Sequence, residues 1–148
     1  MIDPENLEKV KGALIPMIQS HHFSLIPSGS EIGGNRIFIR YNNNQVQECL
    51  IKILNLDLVR NIKIPKSEFN NQIKSDQWII LGLIIEQSDP VFYMIPMPAF
   101  RHPNNWLIDN SQPERLNHFD NWEIKVFVKM MPELNPYRLE SILPGLKS

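Results

Sequence analysis

Residues 78 to 85, WIILGLII, form the longest uninterrupted apolar run in the chain. Successive side chains of a β-strand point to opposite faces of the sheet, so a strand of this composition needs cover on both sides. A half-solvated strand would show a polar residue at every second position. The run is also far shorter than the roughly 18 apolar residues of a membrane-spanning helix. It therefore predicts a central strand in a layered α/β domain, and 148 residues suit one compact domain with one core.

The flanking stretches supply the rest of such a domain. Residues 3 to 20 read as a helix: Asp3 caps the first turn, Pro4 sits where a missing N–H costs nothing, and Glu5 suits the positive end of the dipole. Leu7, Val10, Leu14, Met17 and Ile18 make its apolar stripe. Pro16 conflicts with that pattern at a cost of about 3 kcal/mol, and predicts a kink near Gly12 or an end around Ile15. HFSLIP, NRIFIRY and QVQECLIKIL follow as three strands, the last two joined by a hairpin turn at Asn42, Asn43 and Asn44. KSEFNNQIKS, residues 66 to 75, reads as a short polar helix with Phe69 and Ile73 facing inward. VFYMIPM reads as a strand beside the central one. Ser111 and Glu114 form a capping box for another helix, WEIKVFVK alternates as a strand does, and Asn135 and Pro136 open a last short helix. The prediction is a single α/β domain over residues 1–148, a central mixed β-sheet flanked by helices. Residues 1–96 form its core, and 97–148 form a C-terminal extension packed on that core.

Charge and cysteine usage narrow the function classes. The formal net charge of -1 fits neither a disordered acidic tail nor a strongly cationic nucleic-acid binder. Residues 36 to 74 nevertheless hold seven Lys or Arg against three acids. Cys49 is the only cysteine, so an intrachain disulfide and a Cys-based zinc site are excluded. MIDPENLEKV lacks the cationic and apolar regions of a signal peptide, which makes a cytoplasmic location the expectation.

QECLIKIL, residues 47 to 54, keeps one charged side chain, Lys52, inside an apolar strand. Its stem would pack beside Leu50 while the ammonium reaches water, or the lysine would meet an anionic partner. Over residues 4 to 96 the order helix, strand, strand, strand, helix, strand resembles the αβββαβ core of the PD-(D/E)XK, or restriction-endonuclease-like, superfamily. The run YMIP at residues 93 to 96 is similar to one that follows the fourth strand in many members. The resemblance implies a metal-binding Asp on the second core strand and, on the third, Glu or Gln, any residue, then Lys. Such acids hold Mg²⁺ beside a scissile phosphate while the lysine steadies the attacking water.

Lys52 falls on the family lysine, but Leu50 stands where the acid belongs, and the second-strand position offers only Asn35 or Arg36. A guanidinium repels a divalent ion, and a lone amide oxygen is a poor replacement for a carboxylate. With these departures the resemblance implies a nuclease-like scaffold with no catalytic residue, no metal and no cofactor. Arg36, Arg40 and Lys52 become candidate contacts to a protein partner or, second, a nucleic acid. A homodimer stays open, and no membrane partner is expected. The alternative is a Mg²⁺-dependent nuclease with a migrated site at Glu31, Glu48 and Lys52, since Glu48, Leu50 and Lys52 share one face of the strand.

Other constellations carry less. His21 and His22 are adjacent, and His102 and His118 lie far from them, so no zinc spacing arises. Cys49 faces away from Lys52 and has no activating base beside it. SGSEIGG lacks the spacing and the lysine of a phosphate-cradling loop. Trp78, Trp106, Trp122, Phe92 and Tyr93 read as core or sheet-rim residues rather than a base-stacking platform. MIPMPAFRHPNNW is either a packed loop or, with Met97, Phe100 and Trp106 exposed, a protein-contact patch.

Overall fold

A computed structural model describes residues 4–27, 34–85, 88–111 and 120–147. Along them run α1 (Pro4–Ser20), β1 (Phe23–Leu25), β2 (Arg36–Tyr41), β3 (Gln47–Asn55), β4 (Asn61–Pro65), β5 (Gln77–Ile84) and β6 (Val91–Pro96). They are followed by β7 (Leu107–Asp109), β8 (Asn121–Lys125) and the single-turn helices α2 (Met131–Leu134) and α3 (Leu139–Ile142). Five strands form a mixed sheet in the order β1-β2-β3-β5-β6, and the other three form a second sheet in the order β4-β8-β7. β3 and β5 are parallel, and every other pairing is antiparallel.

Every residue of β5 is buried, as its apolar composition requires. Its side chains alternate between two cores. Trp78, Ile80 and Ile84 face Leu7, Val10, Leu14 and Ile18 of α1 and Leu139 and Leu143 near the C-terminus. Ile79, Leu81 and Leu83 face Ile64, Trp122 and Ile124 of the second sheet, together with Phe100 and Trp106. Gly82 leaves little room for a side chain: a Cβ there would lie 3.3 Å from the Phe92 ring on the neighbouring strand and 3.5 Å from Val10 of α1. α1 and α3 cover one face of the central sheet, while the single turn of α2 packs Leu134 into the core on the other. A three-stranded sheet makes up most of that second layer, where helices were expected, because Ile62 and Ile64 of β4, Leu107 of β7 and Trp122 and Ile124 of β8 all turn toward the same core.

Several local expectations change for physical reasons. α1 runs unbroken through Pro16. Four stripe residues, Leu7, Val10, Leu14 and Ile18, are buried at about 1.5–3 kcal/mol each, which outweighs a proline cost of about 3 kcal/mol. Pro16 and Gly12 are both exposed, so water reaches the carbonyl that loses its donor. The helix expected over 66 to 75 is a 3-10 turn at Lys66–Phe69, because Asn70 and Asn71 adopt left-handed φ values of 53° and 57° and end it. Between β3 and β5 the chain therefore carries β4 and this turn in place of a helix. The last helix starts at Leu139 rather than Asn135, since Arg138 is extended and bridges to Tyr93 at the sheet edge. The strand in WEIKVFVK ends at Lys125, and Val128 lies exposed in the following 3-10 turn.

Met97, Phe100 and Trp106 are buried, so they form a packed loop and not a contact patch. Asn42 takes a positive φ of 51° in the hairpin between β2 and β3. The Asp3 cap and the helix expected after Ser111 lie outside the described residues, as do the 28–33 loop and His118.

Candidate functional site

The β2–β3 register sets Arg36 opposite Leu50 and Phe38 opposite Glu48. Strand alternation then places Arg36, Glu48, Leu50 and Lys52 on the face toward the second sheet, while Ile37, Cys49 and Ile51 face α1. The 3-10 turn after β4 buries Phe69 in the core on that same side, which brings Glu68 alongside the strand pair.

A closed set of charges results. The Lys52 ammonium is buried and donates to Glu68 Oε1 at 2.8 Å, with only 10% of its side chain exposed. It does not reach open water, because the turn delivers a carboxylate first. Arg36 Nη1 donates to the Glu48 carboxylate, and Nη2 donates to the Glu68 backbone carbonyl at 2.7 Å. The guanidinium carbon also lies 5.6 Å from the centre of the Phe69 ring, within cation–π range. Gln77, paired with Glu48 across β3 and β5, donates Nε2–H to Glu48 Oε1 at 3.3 Å. Its own Oε1 is buried and has no hydrogen-bond partner among the described residues. Asn35 is taken up elsewhere, donating its side-chain amide to the Ile51 carbonyl at 3.0 Å and so extending the pairing of β2 with β3.

The predicted site residues therefore separate. Arg36, Glu48 and Lys52 come together, while Glu31 lies outside the described residues. Arg40, half-buried on β2, makes no ion pair with any described residue. Glu68 and Gln77 complete the cluster and carry no sequence signal for it. Glu68 sits in a polar segment, and what orients it is the burial of its neighbour Phe69.

Divalent cations need several anionic or carbonyl oxygens left free to converge. Here a guanidinium spans Glu48 and the Glu68 carbonyl, and an ammonium holds the Glu68 carboxylate. The four side-chain charges cancel in pairs. Among the described residues, no group of three or more His, Cys, Asp or Glu side chains gathers where it would hold a metal ion. Burial, reinforced by the Glu48 charge, pushes the Cys49 thiol far above its ordinary range, which removes it as a nucleophile. His22 adopts a positive φ in the turn after α1 and is exposed, as is His102.

A second polar group lies on the outer face of the smaller sheet. Asn61 and Asn110 donate to Glu123 at 2.6 and 3.0 Å. These bonds hold the Glu123 carboxyl below its ordinary range against the opposing effect of burial. Beside it, Lys66 donates to Asp109 at 2.8 Å and lies 5.1 Å from the Trp122 ring centre. Both groups tie β7 to the β4 and β8 side of the sheet through satisfied bonds.

The chain matches no family model, no curated protein and no solved structure. Among the described residues, no helix is long and apolar enough to cross a membrane.

Proposed function

We propose that this chain is a non-catalytic binding module on a scaffold similar to the restriction-endonuclease-like core, with β4 and a 3-10 turn in place of that core's second helix, and that it engages a protein partner. One observation carries the reading: the two acids of the described cluster are neutralised internally, Glu48 by Arg36 and Glu68 by Lys52. The register supports it further, since Arg36 and Leu50 face each other where the resemblance implies carboxylates. Nucleic acid is the weaker partner class, because two of the three candidate cations are already engaged and Arg40 alone stays available. On this reading the chain acts without Mg²⁺.

A metal-dependent nuclease is the second reading, favoured by the two carboxylates and one lysine that share a face. The test is incubation of the purified chain with plasmid, single-stranded DNA and RNA in Mg²⁺ or Mn²⁺. The expected result is no cleavage above a no-protein control. Cleavage abolished by Lys52→Ala and by Glu48→Gln, with circular dichroism unchanged in at least one variant, would overturn the binding-module reading. A salt titration of nucleic-acid binding should show almost no slope, whereas a phosphate-binding surface loses affinity steeply as salt rises.

A further inference from the structure

We infer that residues 109–111, where the chain leaves β7, form an acid-released latch on the smaller sheet, independently of the binding-module reading. β7 is held in two different ways along its length. At its start Trp106 and Leu107 are 3% and 2% exposed and pack into the core with Trp122 and Ile124. Past Leu107 the fastening is polar. Asn110 donates its side-chain amide to Glu123 Oε1 at 3.0 Å and to Asn121 Oδ1 at 2.8 Å, and its N–H to the Asn121 carbonyl at 2.9 Å. Lys66, just after β4, donates to Asp109 Oδ1 at 2.8 Å and to the Ser111 hydroxyl. Ser111 N–H donates to the same Asp109 oxygen at 2.9 Å. Two carboxylates thus stand at the centre of these ties, Glu123 on the strand side and Asp109 on the latch side.

Each loses bonding capacity when it takes up a proton. Both oxygens of Glu123 accept hydrogen bonds, Oε1 from Asn110 and Oε2 from Asn61 at 2.6 Å, so a proton on either one turns an acceptor into a donor facing an N–H. A protonated Asp109 loses its ion pair with Lys66. The charged groups around Glu123 are Lys63, directly across on β4, and Lys125, two residues along β8, and both favour the carboxylate. Those around Asp109 are Lys66 and Asp120, whose carbonyl accepts from the Lys66 N–H at 3.1 Å.

The bonds from Asn110 and Asn61 hold Glu123 below its ordinary range against burial. Burial pushes Asp109 up, but the hydrogen bonds from Lys66 and Ser111 outweigh it, so this carboxyl also lies below its ordinary range. A carboxyl lowered in the folded state contributes stability that is fully present above its unfolded value, near 4.5 for Glu123 and 3.8 for Asp109. That contribution disappears as pH falls through the folded value. Acid therefore weakens the polar half of this fastening and spares the apolar half. Opening there bares the main chain of β8 at Asn121.

The test uses the full ¹⁵N-labelled chain, with amide hydrogen exchange at pH 7 and pH 3 corrected for the intrinsic rate at each pH. Between the two, opening at the Asn110 amide should rise about tenfold or more relative to the Ile80 and Leu81 amides in the centre of β5. The Lys125 amide, bonded to the Trp106 carbonyl at 2.8 Å, should follow β5. Asp109→Asn and Glu123→Gln should each be more open at Asn110 than the parent chain at pH 7, and each should show a smaller acid rise. The double variant should show none. Asp109 is exposed, so Asp109→Asn leaves the fold intact and keeps the test decisive if Glu123→Gln fails to fold. An equal change at Asn110 and in β5 would make acid a global denaturant and would overturn the latch. So would an acid rise that keeps its full size in Asp109→Asn or in the double variant, or a Lys125 amide that opens in step with Asn110.

Discussion

Lys52 and Glu68 should respond unequally to neutralisation, and the inequality follows from burial. At 2.8 Å and an effective dielectric of about 20, the gross attraction between the two charges is about 6 kcal/mol. Desolvation of both groups offsets much of this, so the net value of the pair is far smaller. The two partners differ in what remains after the other is removed. The Lys52 side chain is 10% exposed and the Glu68 side chain 27%. Glu68→Gln strands an ammonium that water scarcely reaches, although the amide oxygen still accepts one hydrogen bond. A cost of about 2–3 kcal/mol is expected, below the range for fully buried pairs. Lys52→Met keeps an apolar stem against the core and leaves a carboxylate that water hydrates, for a cost of about 1 kcal/mol or less. The double variant should recover most of the Glu68→Gln loss. Urea unfolding followed by circular dichroism measures all three, and thermal midpoints should fall by about 5–10 °C for Glu68→Gln. Equal losses for the two single variants, or a larger loss for Lys52→Met, would refute the assignment of Lys52 as the buried partner.

Other outcomes follow from the same geometry. The Glu123 carboxyl is held below its ordinary range by Asn110 and Asn61, against burial, so its contribution to stability is fully present above the unfolded-state value near 4.5. That contribution disappears as pH falls through the lower folded value. Glu123→Gln should therefore flatten the acid limb of stability against pH relative to the parent chain, and parallel acid limbs would contradict this. Pro16→Ala should stabilise the chain by about 1–2 kcal/mol in urea, since the helix hydrogen bond it restores on an exposed face outweighs the unfolded-state restriction that is lost with the proline. Cys49 is fully buried, so a thiol reagent should modify it no faster than the chain opens, with rates that rise with urea. Rapid stoichiometric labelling in native buffer would show that the β3 environment is wrong.

Periodicity within single segments was legible because it is local. The stripe of α1, the two-sided run of β5 and the alternation of β3 all follow from side-chain geometry along one element. The Asn42 turn and the pairing of β2 with β3 were legible too, since the hairpin joins neighbours in sequence. β4 was not, although Ile62 and Ile64 alternate with Lys63. Five residues ending in a proline give too little period to distinguish a strand from a loop.

What the chain's order of residues determined by itself is that a strand apolar on both sides must lie between two layers, with an amphipathic helix able to supply one of them. The identity of the second layer was decided only in three dimensions, where strands of three to five residues gain stability by pairing with one another. The same holds for the charges. Lys52 and Glu68 are 16 residues apart, and Arg36 and Glu48 are 12 apart. No local rule joins them: the strand register and the turn anchored by Phe69 do, and with them the choice between a free carboxylate and a neutralised one.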